Sequence, residues 1–158
     1  CLMLAYECPF TELSLFEPTQ EVERIGLWEN DVVEAFIASD PSAVENYREL
    51  QWAPNGESLD LALATGSRDF AWSSGATSAV TIDTRAQVWR VEACIPWSAF
   101  GNTPPHAGSR WRLNLFRHDK AHGVGLAFSP TLGPTFHVAE RFGWLEFVPG
   151  NTSATASP

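Results

Sequence analysis

Four polar side chains in this sequence can each make two hydrogen bonds to adjacent hydroxyl groups: Glu34, Gln51, Asn114 and Arg117. The chain also contains seven Trp, more than a core of this size needs, so we expect some of these rings to be exposed. A sugar offers C–H faces to flat rings and a circle of hydroxyls to carboxylates, amides and guanidinium groups. These residue types are the ones that a carbohydrate-binding site requires.

Residues arranged for catalysis are scarce by comparison. Glu34 and Glu92 could form a carboxylate pair of the glycosidase type, but nothing in the sequence sets their separation. His118 and His122 are spaced as i and i+4, but the glycine-containing stretch around them is a poor helix. Ser129 lacks the Gly-x-Ser-x-Gly motif of a nucleophile elbow. None of these residues therefore forms a recognisable catalytic motif in the sequence.

The elements that must position these residues are short β-strands. Between 87 and 96, Trp89, Val91, Ala93 and Ile95 fall on one face and alternate with residues of the other. Similar runs lie at 31–37, 47–52, 79–83, 111–116 and 143–148. Eleven Gly and eleven Pro mark turns between them, and only 42–49 and 95–100 could hold a helical turn. This pattern predicts an all-β protein, an antiparallel β-sandwich of the jelly-roll type.

Alternation also predicts which side chains face solvent. Glu49 and Gln51 lie opposite Leu50 and Trp52 along one run, and Asn114 alternates with two leucines along another. We therefore expect Gln51 and Asn114 to be exposed. Four Trp at alternating positions are expected to be core rings: Trp52, Trp89, Trp97 and Trp111.

Composition excludes several classes of partner. The 158 residues are 44% hydrophobic, enough for one folded domain. A formal net charge of −9 argues against nucleic acid and anionic membrane surfaces, which need clustered basic side chains. No apolar run approaches the roughly 20 residues of a membrane-spanning helix, so no membrane insertion is expected.

The two ends of the sequence differ in character. We expect one domain over 1–148, followed by a small, polar tail or linker stub over 149–158. At the other end the chain opens directly on apolar residues, without an initiator Met or a charged segment. The domain is therefore expected to be truncated at its N-terminus, inside a strand of a longer natural protein. The segment 151–153 fits an N-glycosylation sequon.

Three cysteines cannot all pair within one chain. Cys1 and Cys8 flank an extended run that would hold them apart, so they cannot form a disulfide without a bend. A Cys8–Cys94 disulfide is possible, and the alternative is three small buried thiols. No spacing of Cys and His predicts a zinc site.

Four segments carry a family resemblance: 27–36 (LWENDVVEAF), 89–97 (WRVEACIPW), 111–117 (WRLNLFR) and 136–143 (FHVAERFG). In this order they resemble the family 9 carbohydrate-binding modules and the family 9-like domains of bacterial secreted proteins. The resemblance covers about residues 1–148. It implies a monomeric, extracytoplasmic β-sandwich that binds a sugar unit of a poly- or oligosaccharide, such as plant cell-wall glucan or xylan, without catalysis.

The resemblance also implies roles for individual residues. In the family a Trp supplies one stacking ring, and a Glu six residues later supplies a hydrogen-bond acceptor. Trp28 and Glu34 have this spacing. Phe128 stands where the family has a second Trp, and Asn114 matches a side-chain amide on the sheet. Phe covers less of a sugar ring than Trp does. The alternative is therefore a structural or interaction domain that keeps the sandwich fold but has lost sugar binding.

Each of these residues also has a purely structural interpretation. Trp28 could be a core-edge ring, and Phe128 could simply pack before a turn. Glu34 could pair with Arg90 or Arg112, and Arg117 could brace the carboxylate of Asp119: these four interpretations are left open.

The resemblance leaves metal and cofactor open. Family members often hold structural calcium, and four aspartates could supply oxygen ligands: Asp31, Asp40, Asp60 and Asp119. No D-x-D-x-D loop is present, so calcium is possible but unassigned. Related sandwiches bind haem between a Met and a His, which here could only be Met3 with His118 or His137. No cofactor is expected.

Overall fold

A computed structural model describes residues 1–17, 23–101 and 103–150 of the chain. This part forms ten β-strands: β1 (Leu2–Pro9), β2 (Val32–Ala38), β3 (Tyr47–Trp52), β4 (Ser58–Ala64), β5 (Ser67–Asp69), β6 (Thr77–Asp83), β7 (Val88–Ile95), β8 (Arg110–Asp119), β9 (Val124–Ala127) and β10 (Gly143–Glu146). Three single-turn 3₁₀ helices connect them at Leu27–Glu29, Pro41–Ala43 and Ala139–Arg141. The sequon at 151–153 and most of the predicted tail lie outside the described residues, so the boundary at 148 stays a prediction.

The strands form two antiparallel sheets. The small sheet has the order β1-β7-β6, and the large sheet has the order β10-β8-β2-β3-β4-β5, with β9 pairing with the C-terminal half of β8. The predicted all-β sandwich is confirmed. Among the described residues no helix is long and apolar enough to cross a membrane.

One hydrophobic core lies between the two sheets. On β7 the predicted face of alternating residues is buried, with Trp89, Val91 and Ile95 fully inaccessible. They pack against the odd-numbered residues of β2 and against Trp52 and Trp111, which are also core rings as predicted. Period-two alternation thus places one apolar face of each sheet in a shared interior.

A second apolar layer covers the opposite face of the large sheet. Here Phe36 of β2 packs with Phe116 of β8, and Phe142 from the segment before β10 covers them. This layer corrects the predicted exposure of Gln51 and Asn114, which are 1% and 0% exposed. Alternation identified the correct face of each strand, but a long loop covers that face.

The disulfide differs from the one considered from the sequence. Cys1 bonds Cys94, whereas Cys8 is a free, buried thiol, so the Cys8–Cys94 pairing is wrong. The antiparallel register explains the difference, because Cys94 is opposite Met3 and Cys8 is opposite Trp89, at the other end of the strand pair. Cys8 also faces the core, whereas Cys94 belongs to the outer set of β7 residues.

Candidate functional site

A pocket of about 440 Å³ opens on the loop-covered face of the large sheet. Its floor is built by neighbouring strands, since Glu34 of β2 lies directly opposite Gln51 of β3 in the register. Glu49 lies two residues before Gln51 and therefore projects from the same face. All three residues are at least 97% buried, so the floor is polar but almost inaccessible to bulk solvent.

Aromatic rings from loops form the walls of the pocket. Trp28 stands on the 3₁₀ turn before β2 and Phe70 follows β5, and each of these rings is 37% exposed. Phe136 stacks on Phe116 with ring centroids 4.2 Å apart. Gly125 permits this placement, because a Cβ there would lie only 3.2 Å from the ring of Phe136. The walls therefore offer flat apolar faces above a polar floor.

The floor contains hydrogen-bond acceptors without partners. Gln51 Nε2 donates to Glu49 Oε1 at 2.5 Å, which leaves Glu49 Oε2 and Gln51 Oε1 buried and unpaired. The Glu34 carboxylate makes no hydrogen bond or ion pair with the described part of the chain. Because buried polar groups are nearly always satisfied in native proteins, these oxygens indicate the place of a ligand or of ordered water.

Burial also shifts the protonation of the two carboxyls. Desolvation raises the pKa of Glu34 well above its ordinary value, and the charge of Glu49 raises it further. Desolvation raises the pKa of Glu49 to about 7, against the opposing effects of the Gln51 hydrogen bond and the Arg68 guanidinium. The two carboxyls therefore hold protons more tightly than exposed glutamates, and Glu49 titrates near neutral pH.

His137 closes one side of the pocket as a neutral ring. Burial, with a smaller effect of Arg68, lowers the pKa of His137 to about 4. Its Nδ1 lies 2.6 Å from Tyr47 Oη and 3.9 Å from Glu49 Oε2. With the ring uncharged at neutral pH, the longer contact is not a salt bridge, and Tyr47 fixes the orientation of the imidazole.

No family model matches the sequence. A curated relative, an extracellular protein of Arthroderma benhamiae (strain ATCC MYA-4681 / CBS 112371), is 27% identical over 129 residues, which are 73% of this chain and 57% of the relative. The chain therefore spans little more than half the length of that relative.

Three solved structures have the same fold. One, a protein of Bacteroides uniformis named for predicted carbohydrate binding, has a TM-score of 0.74 and 19% identity, over 92% of this chain and 72% of that one. A family 9 carbohydrate-binding module of Caldicellulosiruptor kristjanssonii with cellotriose has a TM-score of 0.59 and 14% identity, over 85% and 66%. The same organism's family 9 module with glucose has a TM-score of 0.60 and 13% identity, over 99% and 82%. The chain has a family 9-like fold. The resemblance predicted from the sequence is thus confirmed at the level of the fold.

Within this family 9-like fold, three of the predicted site residues meet in the pocket. Trp28, Glu34 and Gln51 all line it. Trp28 is held there by its backbone oxygen, which lies 2.8 Å from His118 Nδ1. Neither Arg90 nor Arg112 pairs with Glu34, since Arg90 binds Glu7 and Arg112 binds backbone oxygens beside β10.

The other three predicted residues lie elsewhere. Asn114 is beneath the covering loop, where its amide exchanges two hydrogen bonds of 2.8 Å with the backbone of Ser129. Arg117 faces the opposite side of the large sheet and pairs with Asp119 at 3.0 Å, as its structural interpretation expected. Phe128 is 63% exposed and covers Gly143, where a Cβ would lie 2.8 Å from its ring.

Several pocket residues were missed by the analysis of the sequence. Glu49 had a signal, because it shares strand parity with Gln51. Phe136 and His137 open the segment 136–143 that carries the resemblance, yet nothing in it assigns them to a site. Arg68 lies in β5 and Phe70 directly follows that strand, and no sequence signal placed either residue at a site.

The alternative sites from the sequence are not assembled. Glu92 is exposed on β7 of the small sheet, on a different sheet from Glu34. Met3 is 61% exposed on β1, whereas His118 and His137 line the pocket in the large sheet. Within 1–17, 23–101 and 103–150, no three His, Cys, Asp or Glu residues are grouped to hold a metal ion.

The aspartates considered for calcium instead fix loops. Asp31 is 2% exposed and accepts hydrogen bonds from the backbone amides of Ser14 and Lys120 at 2.5 and 2.7 Å. The carboxylate of Asp40 caps the turn by accepting hydrogen bonds from the backbone amide and the hydroxyl of Ser42. The Asp31 contacts hold together the loop that carries Trp28 and the end of β8.

Proposed function

We propose that this chain is a non-catalytic carbohydrate-binding module that holds one sugar unit in the aromatic-walled pocket. The observation that carries the proposal is the pair of buried, unpaired acceptors Glu49 Oε2 and Gln51 Oε1, which lie with the buried Glu34 side chain beneath exposed rings. Sugar hydroxyls supply donors to such acceptors, and sugar C–H faces pack on such rings. The pocket volume lies in the usual range for small-ligand sites, about 300–1,000 Å³.

The rings have distinct roles in this proposal. Trp28 is the main stacking platform, because a large ring that is 37% exposed has a face free to cover a pyranose. Phe136 forms the second apolar wall of the pocket, the role that the sequence analysis gave to Phe128. It is already fixed by Phe116, so little side-chain freedom is lost on binding.

A catalytic role is not favoured by the placement of the carboxyls. Glu34 and Glu49 project from neighbouring strands on one face, side by side in the floor. A glycosidase needs its acid and its nucleophile or base to flank the scissile bond. Two carboxyls on the same side of a bound sugar suit hydroxyl recognition and not bond cleavage.

The proposed location is extracytoplasmic, and the proposed state is a monomer. Two findings support the location: the Cys1–Cys94 disulfide, since such bonds persist in oxidising compartments, and the name of the Arthroderma benhamiae relative, an extracellular protein. Glucans are the first ligand class to test, because two modules of the same fold carry cellotriose and glucose in their structures. Xylan units are the second class.

Isothermal calorimetry with glucose, xylose, cellobiose and xylobiose, followed by a glycan array, tests the proposal. Binding of at least one sugar should be lost in Trp28→Ala and retained in Trp144→Ala. Trp144 is a matched control, a half-exposed ring outside the pocket that packs under Arg110 and Arg112. Absence of any sugar ligand would reject the proposal in favour of a structural or interaction domain.

A further inference from the structure

The charges around the pocket do not balance. Glu34 and Glu49 contribute two carboxyls, and Arg68 contributes the one guanidinium group among the described lining residues. Arg68 is exposed at the rim and forms no hydrogen bond or ion pair with the described residues. His137 is neutral, and His118 directs Nδ1 to the backbone of Trp28. Because no salt bridge joins Arg68 to Glu34 or Glu49, the two acidic side chains of the floor have no cationic group of the described residues in contact with them.

The floor offers hydrogen-bond acceptors whenever its carboxyls are ionised. Glu49 Oε2 and Gln51 Oε1 are the unpaired buried atoms there, and the ionised form of Glu34 adds two more acceptors. A hydroxyl group brings one donor and also seeks a donor for itself. An ammonium group brings three donors, needs none, and supplies the missing charge.

We infer that the preferred ligand of this pocket is a cationic amino sugar, a hexosamine whose amine is not acetylated. Its ammonium group lies against Glu34 and Glu49, and its ring packs on Trp28. The aromatic walls favour the same choice, because the faces of Trp and Phe attract cations. This inference rests on the proposed function and names the class of sugar.

A comparison of glucosamine with its N-acetylated form tests most sharply whether the pocket prefers an ammonium group. N-acetylglucosamine keeps the sugar ring but replaces the ammonium with a neutral amide that has one donor and one acceptor. Glucose keeps the ring and replaces the ammonium with a hydroxyl. Both analogues leave the two carboxyls of the floor without a cation, so both should bind more weakly than glucosamine.

The test is calorimetry at about pH 7 with glucosamine, glucose and N-acetylglucosamine, each in two buffers of different ionisation enthalpy. Glucosamine should bind at least about tenfold more tightly than glucose. It should also release protons on binding, because an ammonium group lowers the pKa of the carboxyls that it contacts. Glucose should release none.

Glu49→Gln separates charge from shape, since it retains the hydrogen bonding but removes one carboxyl. The preference for glucosamine should fall to less than about threefold in Glu49→Gln and persist in Glu92→Gln, a charge-matched change at an exposed site on β7. If glucose equals or exceeds glucosamine in the wild-type protein, the inference fails while the proposed function stands. If no sugar binds, both fail.

Discussion

Strand β2 is buried along both of its faces, and the two faces are buried in different ways. Val33, Ala35 and Ile37 pack against the small sheet in a core of hydrocarbon. Between Val32 and Phe36 on the other face lies Glu34, a carboxyl with no protein partner in the described residues. Both faces of β2 are therefore buried, but one is packed with apolar side chains and the other presents a carboxyl group that a ligand could bind.

The two faces of β2 contribute to the free energy of folding with opposite signs. Burial of apolar surface between the sheets stabilises the fold, at about 25 cal/mol per Å². Burial of Glu34 and Glu49 opposes folding, because their charged forms lose hydration. A binding site of this kind is stable only because the opposite face of the same strands is so completely packed.

The largest effect should follow from a change on the packed face. Trp89 is fully buried in the core between the sheets, so Trp89→Ala should lower the free energy of unfolding by about 3–5 kcal/mol. Urea denaturation followed by circular dichroism measures this loss. A loss below about 1 kcal/mol would mean that the inter-sheet core is not the main source of stability.

On the pocket face, stability should depend on pH through Glu49. Its pKa rises from 4.5 to about 7 on folding, so the folded chain holds a proton that the unfolded chain releases. The stability that Glu49 contributes is present below about pH 4.5 and is lost as the pH rises through about 7, by on the order of 3 kcal/mol.

His137 acts in the opposite direction and must be separated from Glu49. Its pKa falls from 6.5 to about 4 on folding, so its contribution is present above about pH 6.5 and is lost as the pH falls through 4. Unfolding of the wild type and Glu49→Gln should therefore be compared across pH 4–8. Equal slopes in the two proteins would show that Glu49 is not buried as described.

A smaller effect should follow from Glu34→Gln, which exchanges a carboxylate for an isosteric amide on the pocket face. The affinity for the best sugar should weaken by roughly 1–3 kcal/mol, the cost of leaving a buried hydrogen-bonding group without its matched partner. Calorimetry measures this change, with Glu92→Gln as the matched control. An unchanged dissociation constant would remove Glu34 from the site.

The smallest effect is expected at Phe128. Because this ring covers Gly143 outside the pocket, Phe128→Ala should leave sugar affinity unchanged within about twofold. Phe128→Trp should not tighten binding. A clear change in affinity with either variant would restore Phe128 as a wall of the site and displace Phe136 from that role.

The sequence predicted the sandwich well because strand alternation reports directly on packing. The buried face of β7 and the core role of Trp52 and Trp111 follow from period-two patterning. Alternation within a strand does not show that the second face of the large sheet is covered, because the loop that covers it is distant in sequence from the strands beneath it. Gln51 and Asn114 were therefore expected at the surface although both are buried.

The site was predicted less completely than the fold. The six-residue spacing of Trp28 and Glu34 and the strand parity of Gln51 identified three residues that line one pocket. Phe128 and Phe136 are separated by a long loop, and only the folded path of that loop decides which ring reaches the pocket. The disulfide was missed for a similar reason, because strand register is not visible in the spacing of the cysteines.

The central claim, that a sugar occupies the pocket beside Trp28, is tested most directly by a nitrogen–proton correlation spectrum of the seven Trp indoles during a sugar titration. The Trp28 signal, assigned with Trp28→Phe, should shift and saturate with the same dissociation constant as calorimetry. The signals of buried Trp89 and of Trp144 on β10 should stay in place. Saturable binding that moves the Trp144 signal and leaves that of Trp28 unchanged would contradict the account.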